Sequence, residues 1–505
     1  MSLIARQSIK FSIVSYFSFF IGTLASLFLY TNDFDFSGKI SAVLSYAQII
    51  YPFLTLGLGA AIVTFHQKLK DKNHEKSFFT FSLLSIICIS ILVFSIFYFL
   101  KSFFPRIEKT DFAQLSIYIF PLAFFITISH LYMRNSINFK RIVIPNLLQN
   151  LLPKLGAICC FSMFYSGYFN ESISLFVFIL FHFFILVFLF FYIQSLQKDN
   201  YSLNFIFIKD RKLIDEIKKY SLFSILGGMG NIVALQIDKA MIAEFLTFEA
   251  VGTYSVILAL ITLISIPNIG MYAITSPLIV EYFKNNDILS IKKLYQKTAL
   301  ILFFIGSLLL CMIFAGAESL FHLMKNGHKL IELMPVVYLL GFTTLVDIAT
   351  GFNSNILSLS KYYKFNTLTL FGLAFVTIIL NFIFIYYFKM GVVGVALATL
   401  ISMVLFNTIK CLFIYQKFHF QPFSYKFLFI ILMILISILV SNFVEIPEFN
   451  FSNNILKPKL NYGISLITKP FLVLFIFFII NLFANVIDIK IIFSKNWKNF
   501  LMGKS

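Results

Sequence analysis

Apolar stretches of about 20 residues recur from Phe11 to Ile487, about fourteen times in all, with short basic loops between them. At 1.5 Å per residue, each is long enough to cross a hydrocarbon core about 30 Å thick. Lipid offers no water to backbone amides, so a spanning segment is either a helix or a strand of a closed barrel. A barrel needs alternating strands of about ten residues, and these continuous runs exclude it. The pattern therefore predicts an all-α, polytopic membrane protein with spans at 11–30, 40–65, 78–100, 112–133, 142–166, 172–196, 220–246, 251–280, 298–321, 330–358, 365–388, 391–416, 425–444 and 464–488.

Composition agrees. Mean hydropathy is +0.90 and charged residues make up 12% of the chain, against about 25% in an average soluble domain. The 68 phenylalanines fit aromatic bulk on lipid-facing helices. A net charge of +18 in a soluble protein suggests nucleic acid, but here the excess sits in alternate loops. Lys68, Lys70, Lys72, Lys76, Arg134, Lys140, Arg141, Lys209, Arg211, Lys212, Lys218, Lys219, Lys284, Lys292, Lys293 and Lys297 all fall on one side, which the positive-inside rule makes cytoplasmic, together with both termini. No nucleic-acid partner is expected. Arg6 and Lys10 precede an apolar run with no small-residue cleavage site, so the first segment reads as an uncleaved helix. The five cysteines lie inside apolar runs, with no metal spacing, and read as small core residues.

No loop is large enough to fold alone. The longest on the cytoplasmic side is 197–219; the longest outside, 445–463, carries Glu445, Pro447, Glu448, Asn453, Asn454 and Pro458. An internal repeat is visible. The second segment opens with Phe36-Ser37-Gly38-Lys39-Ile40-Ser41 and runs to Pro52 and Gly57; the eighth opens with Ala250-Val251-Gly252-Thr253-Tyr254-Ser255 and runs to Pro267 and Gly270. Six segments separate the copies, so both have the same orientation. The expected organisation is a six-helix lobe at 1–196, a cytoplasmic linker at 197–219, a second six-helix lobe at 220–417, and two further helices with a short tail at 418–505.

Ionisable groups in hydrocarbon cost about 2.5 kcal/mol or more each and normally face a bundle interior or a water-filled cavity. Segment five carries Asn146, Asn150 and Lys154 as one stripe, beside Pro145 and Pro153. Segment seven carries Asn231 and Asp238 on one face, with Gln236, Lys239 and Glu244 near and Gly227, Gly228 and Gly230 before them. Segment ten aligns Thr343, Asp347, Thr350, Ser354 and Ser358; segment four ends in Thr127, His130 and Arg134. Lys154 either pairs with Asp238 to lock two helices or lines a cavity, and a pair of that kind breaks when substrate arrives. For Arg134 the simpler reading is a snorkelling interface residue, and for His130 and His182 a core or interface position. Expected cavity cations and amides are thus Lys154, Lys239, Arg134, Asn146, Asn150 and Asn231, with Asp238, Asp347 and Glu244 as ion-exchanging carboxylates. No phosphate loop, zinc-protease helix or nucleophile elbow occurs, which leaves a transporter whose interior cations suit an anionic substrate.

Three stretches resemble the polysaccharide transport branch, the O-antigen-type flippases, of the multidrug/oligosaccharidyl-lipid/polysaccharide exporter superfamily. They are Leu56-Gly57-Leu58-Gly59-Ala60-Ala61-Ile62; then Gln236-Ile237-Asp238-Lys239 with Gly252-Thr253-Tyr254-Ser255; then Ser360-Lys361-Tyr362-Tyr363-Lys364, Asn381 and Gly391-Val392-Val393-Gly394-Val395-Ala396-Leu397-Ala398-Thr399. The resemblance implies two six-helix lobes plus two helices in a bacterial inner membrane. It also implies flipping of undecaprenyl-diphosphate-linked oligosaccharide for surface polysaccharide synthesis by a secondary transporter, not an enzyme. No cofactor is implied; a proton or sodium gradient is the energy source. Partners would be that lipid-linked substrate, membrane lipids, and the polymerase and chain-length proteins of the pathway, with the chain working as a monomer. The sequence departs from the family in having few arginines in its spans. Rival readings are a multidrug or peptidoglycan-precursor exporter of the same superfamily, a polysaccharide polymerase, and a scaffold without transport.

Overall fold

The computed structural model describes residues 3–196, 201–444 and 457–487, with side chains from residue 14 onward except those of Asn231, Ala273, Asn442 and Lys457. The outer-loop residues Glu445, Pro447, Glu448, Asn453 and Asn454 lie outside the described residues, and so does the end of the tail.

Among the described residues every regular element is a helix. We number the principal ones α1 Leu3–Leu24, α2 Phe34–Thr55, α3 Leu58–Thr64, α4 Glu75–Phe103, α5 Asp111–Asn138, α6 Val143–Asn150, α7 Leu152–Tyr165, α8 Glu171–Leu196, α9 Arg211–Phe245, α10 Phe248–Thr262, α11 Ile266–Lys284, α12 Ile288–Leu323, α13 Met334–Ala349, α14 Asn353–Ser358, α15 Tyr363–Phe382, α16 Gly391–Phe418, α17 Lys426–Phe443 and α18 Lys457–Ala484. Among the described residues ten helical stretches are long and apolar enough to cross a membrane, or twelve when each of two bent helices is one span; the shorter apolar helices α13 and α17 sit where the remaining two expected segments fall. The outward faces are apolar: α4 has a mean hydropathy of 2.7 and only 11% of its apolar window buried. Its Ile91, Leu92 and Phe99 are exposed, which only lipid tolerates over such an area.

Several expected spans are interrupted, and each break has a local cause. Pro153 opens α7, so the fifth segment divides at Leu151 into α6 and α7. The second bends by 56° where Leu56 and Gly57 take left-handed backbone, dividing α2 from α3. The eighth passes through a 3₁₀ turn at Leu263–Ser265 ahead of Pro267. The tenth stops at Ala349 and resumes at Asn353 around Gly351, whose φ of +61° is left-handed. Its polar residues therefore do not share one continuous helical face. Cys88 is exposed rather than in the core.

The described residues pack as two compact units, Met1–Ser255 with Leu370–Phe382, and Val256–Thr369 with Ile383–Ser505. In the first, α2 packs on α5 and α9, and α8 on α5 and α7. The segment before α9 folds back onto this unit. Phe207 is fully buried, and the Tyr201 and Tyr132 hydroxyls bond at 2.8 Å. Helix α9 begins at Arg211, nine residues before the expected span start, because the Asp210 side chain caps it by accepting from the Leu213 amide at 3.2 Å. In the second unit α12 packs on α13, α17 and α18, and α13 on α16.

Candidate functional site

Polar groups in the first unit collect on α9. Gln236, Ala240 and Glu244 recur every four residues and so share one face, and α2 supplies their partners. Ser45 donates to Gln236 Oε1 at 3.0 Å, while the Tyr46 hydroxyl donates to the Ala240 carbonyl at 3.1 Å and to Glu244 Oε2 at 3.4 Å. Glu244 also accepts from the Phe112 amide at 3.3 Å. On another face the buried Asp238 accepts from the Tyr254 hydroxyl of α10 and from Asn381 Nδ2 of α15, both at 2.8 Å. A carboxylate in hydrocarbon is tolerable only when donors surround it, and α10 and α15 provide them. Lys239, half-buried next to Asp238, makes no hydrogen bond or ion pair among the described residues. The side chain of Asn231 lies outside the described residues.

The stripe on α6 and α7 faces α1. Asn146 is fully buried and donates to Ser15 Oγ at 3.2 Å; Asn150, exposed, donates to Asn146 Oδ1. Lys154 donates to the Ser18 carbonyl at 2.7 Å and lies over the Phe19 ring at 4.6 Å. Of the two readings open for Lys154, the pair with Asp238 is absent; the four ion pairs among the described residues are Lys39 with Asp35 and Glu171, Lys68 with Glu216, and Lys72 with Asp210.

Arg134 is exposed on α5 and lines a cavity of about 80 Å³ with Tyr51, Thr55, Gly57, His130 and Gly228. His130 stacks on Tyr51 at 4.7 Å. It also borders a second cavity of about 90 Å³ with Gln48, Ser129, Gln149 and His182. Ser129 Oγ and Gln149 Nε2 are buried there without protein partners. Each cavity has room for several waters; His182 is itself buried, its Nδ1 3.0 Å from the Phe178 carbonyl oxygen, as a core position requires.

In the second unit a network forms around the break between α13 and α14. The carbonyls freed at the break are satisfied by tyrosines: Tyr295 of α12 donates to the Thr350 carbonyl at 2.7 Å, and Tyr272 of α11 to that of Gly351 at 3.4 Å. From the other side α16 contributes Asn407 and Lys410. Asn407 Nδ2 donates to Asp347 Oδ1 at 3.2 Å, and its Oδ1 accepts from Thr350 Oγ1 at 3.0 Å and Asn353 Nδ2 at 2.8 Å. Lys410, with no exposed surface at all, donates to Ser354 Oγ and lies 3.5 Å over the Phe406 ring. Sequence reasoning missed both residues of α16. The signal was there: Asn407 and Lys410 stand at i, i+3 in an apolar run, and Lys410 is seven residues from the next charge, Lys417.

The all-helical, multi-pass fold has counterparts among solved structures. The lipid II flippase MurJ, in an inward closed conformation, superposes with a TM-score of 0.69 at 17% identity, covering 94% of this chain and 99% of that one. An inward-facing multidrug resistance MATE transporter of the MOP superfamily gives 0.56 at 15% identity, covering 83% and 95%. A MOP superfamily transporter from Pyrococcus furiosus, described as having a binding pocket of reversed polarity, gives 0.56 at 14%, again covering 83% and 95%. At these identities the likeness is one of fold. None of the curated proteins matches the sequence. A family profile described as polysaccharide biosynthesis protein matches residues 24–278, half of the chain, and the chain belongs to that family.

Proposed function

We propose that this chain is a flippase that moves undecaprenyl-diphosphate-linked oligosaccharide across a bacterial inner membrane for surface polysaccharide synthesis, by ion-coupled alternating access. The observation that carries the reading is membership of the polysaccharide biosynthesis family in a chain whose apolar helices keep ionisable groups at Asp238, Lys239, Asp347 and Lys410. Groups that cost this much in lipid are retained where charge crosses. Arg134, Lys239 and Lys154 supply cations that offset the desolvation of a diphosphate. Asp238, Asp347 and Glu244 are carboxylates able to exchange a coupling ion, proton or sodium, and so bias two states. The headgroup crosses through the protein while the polyprenyl tail stays in lipid. The chain acts as a monomer with cytoplasmic termini, as six-helix repeats at 1–196 and 220–417 plus the helices of 418–505, and hands its product to polymerase and chain-length proteins.

A peptidoglycan-precursor exporter is the second reading, supported by the full-length fold likeness to the MurJ flippase; its headgroup is also a lipid diphosphate. A deletion strain separates them. Loss of surface glycan with intact growth, restored by wild type and not by Asp238→Ala or Lys154→Ala at equal membrane levels, supports the oligosaccharide reading. Lysis with normal glycan supports the other. Full glycan from both variants would refute the roles given to these residues.

A further inference from the structure

The Asp347–Lys410 network has a feature that ion pairing does not explain. Lys410 is wholly buried, yet no carboxylate of a described residue lies within 4 Å of its nitrogen. It is joined to Asp347 through three neutral side chains: Lys410 Nζ to Ser354 Oγ, Ser354 Oγ to Asn353 Oδ1 at 3.3 Å, Asn353 Nδ2 to Asn407 Oδ1 at 2.8 Å, and Asn407 Nδ2 to Asp347 Oδ1 at 3.2 Å. A structural salt bridge would bring the two charges together, because separation in low dielectric forfeits the attraction that offsets desolvation. The chain crosses from α16 through the α13–α14 break, the least regular backbone in this part of the unit. The other titratable groups facing it are Tyr272 of α11, Tyr295 of α12 and Cys411 of α16. Both tyrosine hydroxyls are committed to carbonyls of the break, and Cys411 sits against Tyr295.

We propose that Lys410 is a proton carrier, its ammonium stored dry against Ser354 and Phe406 and its proton yielded to water when the network around the helix break opens. The Nζ–H bond breaks, its electron pair stays on nitrogen, and the proton leaves on water. With that proton the site holds one ammonium and one carboxylate and has no net charge, so it closes without water. Without it only the carboxylate is charged, and closing would bury a lone anion, which costs several kcal/mol. The dry arrangement therefore selects the protonated site, and proton binding biases the two states. On this proposal the proton is the coupling ion of this unit. The inference rests on the reading of the chain as an ion-coupled transporter.

Two measurements test it. The first needs no substrate: the melting temperature of the purified full chain in detergent, followed from about pH 6 to pH 9. Wild type is expected to vary with pH, and Lys410→Met to flatten that dependence; parallel curves would overturn the proposal. The second is surface glycan in a deletion strain expressing Lys410→Arg or Lys410→Met. Arginine keeps the charge and cannot give up its proton, so both variants should lose export by tenfold or more at wild-type membrane levels. Full export from Lys410→Arg would show that only the charge matters and would overturn the proposal. If Lys410→Arg does not fold, the pH dependence of melting for the near-isosteric Lys410→Met decides. If the deletion leaves glycan intact, the flippase reading falls and the pH titration alone judges Lys410.

Discussion

Gly38 and Gly252 hold the same position on two helices that cross backbone to backbone. A Cβ on Gly38 would stand 1.7 Å from the Phe248 carbonyl oxygen, and one on Gly252 would stand 2.1 Å from that of Phe34. The contact is reciprocal, and both pairs are 214 positions apart (252 minus 38, 248 minus 34). The caps repeat with the same offset: Asp33 accepts from the Phe36 amide at 3.0 Å, and Thr247 from that of Ala250 at 3.1 Å. The openings of the two repeat copies thus meet across a local pseudo-twofold, within one compact unit.

Substituting alanine at Gly38 or Gly252 should therefore be costly, because the atom met is backbone and cannot rotate away. Overpacking of this kind costs about 1–3 kcal/mol and more where nothing yields. Each variant should lower the melting temperature in detergent or fail to accumulate, while Gly463→Ala, which meets nothing within 4 Å, should match wild type.

Asp238→Asn should destabilise by about 2 kcal/mol or more, since it puts an amide where Tyr254 and Asn381 both present donors. Tyr254→Phe removes one donor and should cost less. A double-mutant cycle on thermal stability is expected to show coupling between the two residues; strict additivity would contradict the hydrogen bond.

Gly351→Ala should cost about 1–2 kcal/mol from left-handed backbone alone, with further loss because its methyl would meet Ala299 Cβ at 3.0 Å and Tyr295 Cε2 at 3.1 Å. Tyr295→Phe should cost about 1–3 kcal/mol by leaving the buried Thr350 carbonyl unpaired. Chemical denaturation in mixed micelles reads both.

Outside the spans, the Lys72 ammonium at 2.6 Å and the Leu213 amide hold the Asp210 carboxyl below its usual 3.8. A depressed value means the contribution is present above about pH 4 and is lost as pH falls through the folded value. Asp210→Asn should therefore lower the melting temperature slightly near neutrality and leave it unchanged in strong acid. An exposed pair contributes little, so a large shift would contradict this placement.

The spans were legible because lipid imposes a length and an apolarity that survive in any window. Pro153 marks one break in the sequence although the span 142–166 runs through it, whereas at Thr350–Phe352 a row of hydroxyls imitates one face of an unbroken helix. Asp238 and Asn381 could each be picked out, but their union needs α9 and α15 side by side, which no spacing along the chain encodes. The α6–α7 stripe was visible, whereas its partners on α1, Ser15 and the Ser18 carbonyl, are too ordinary to stand out. Lys410 escaped notice because the loops are rich in lysine and a single one inside an apolar run reads like a misplaced boundary.

The central claim is transport of a lipid-linked oligosaccharide, and its most direct measurement is the sidedness of that lipid in cells depleted of this chain. The account predicts build-up in the inner leaflet, reversed on re-expression of wild type and not of Asp238→Ala. Normal translocation in depleted cells, or build-up of single repeat units in the outer leaflet, would contradict it.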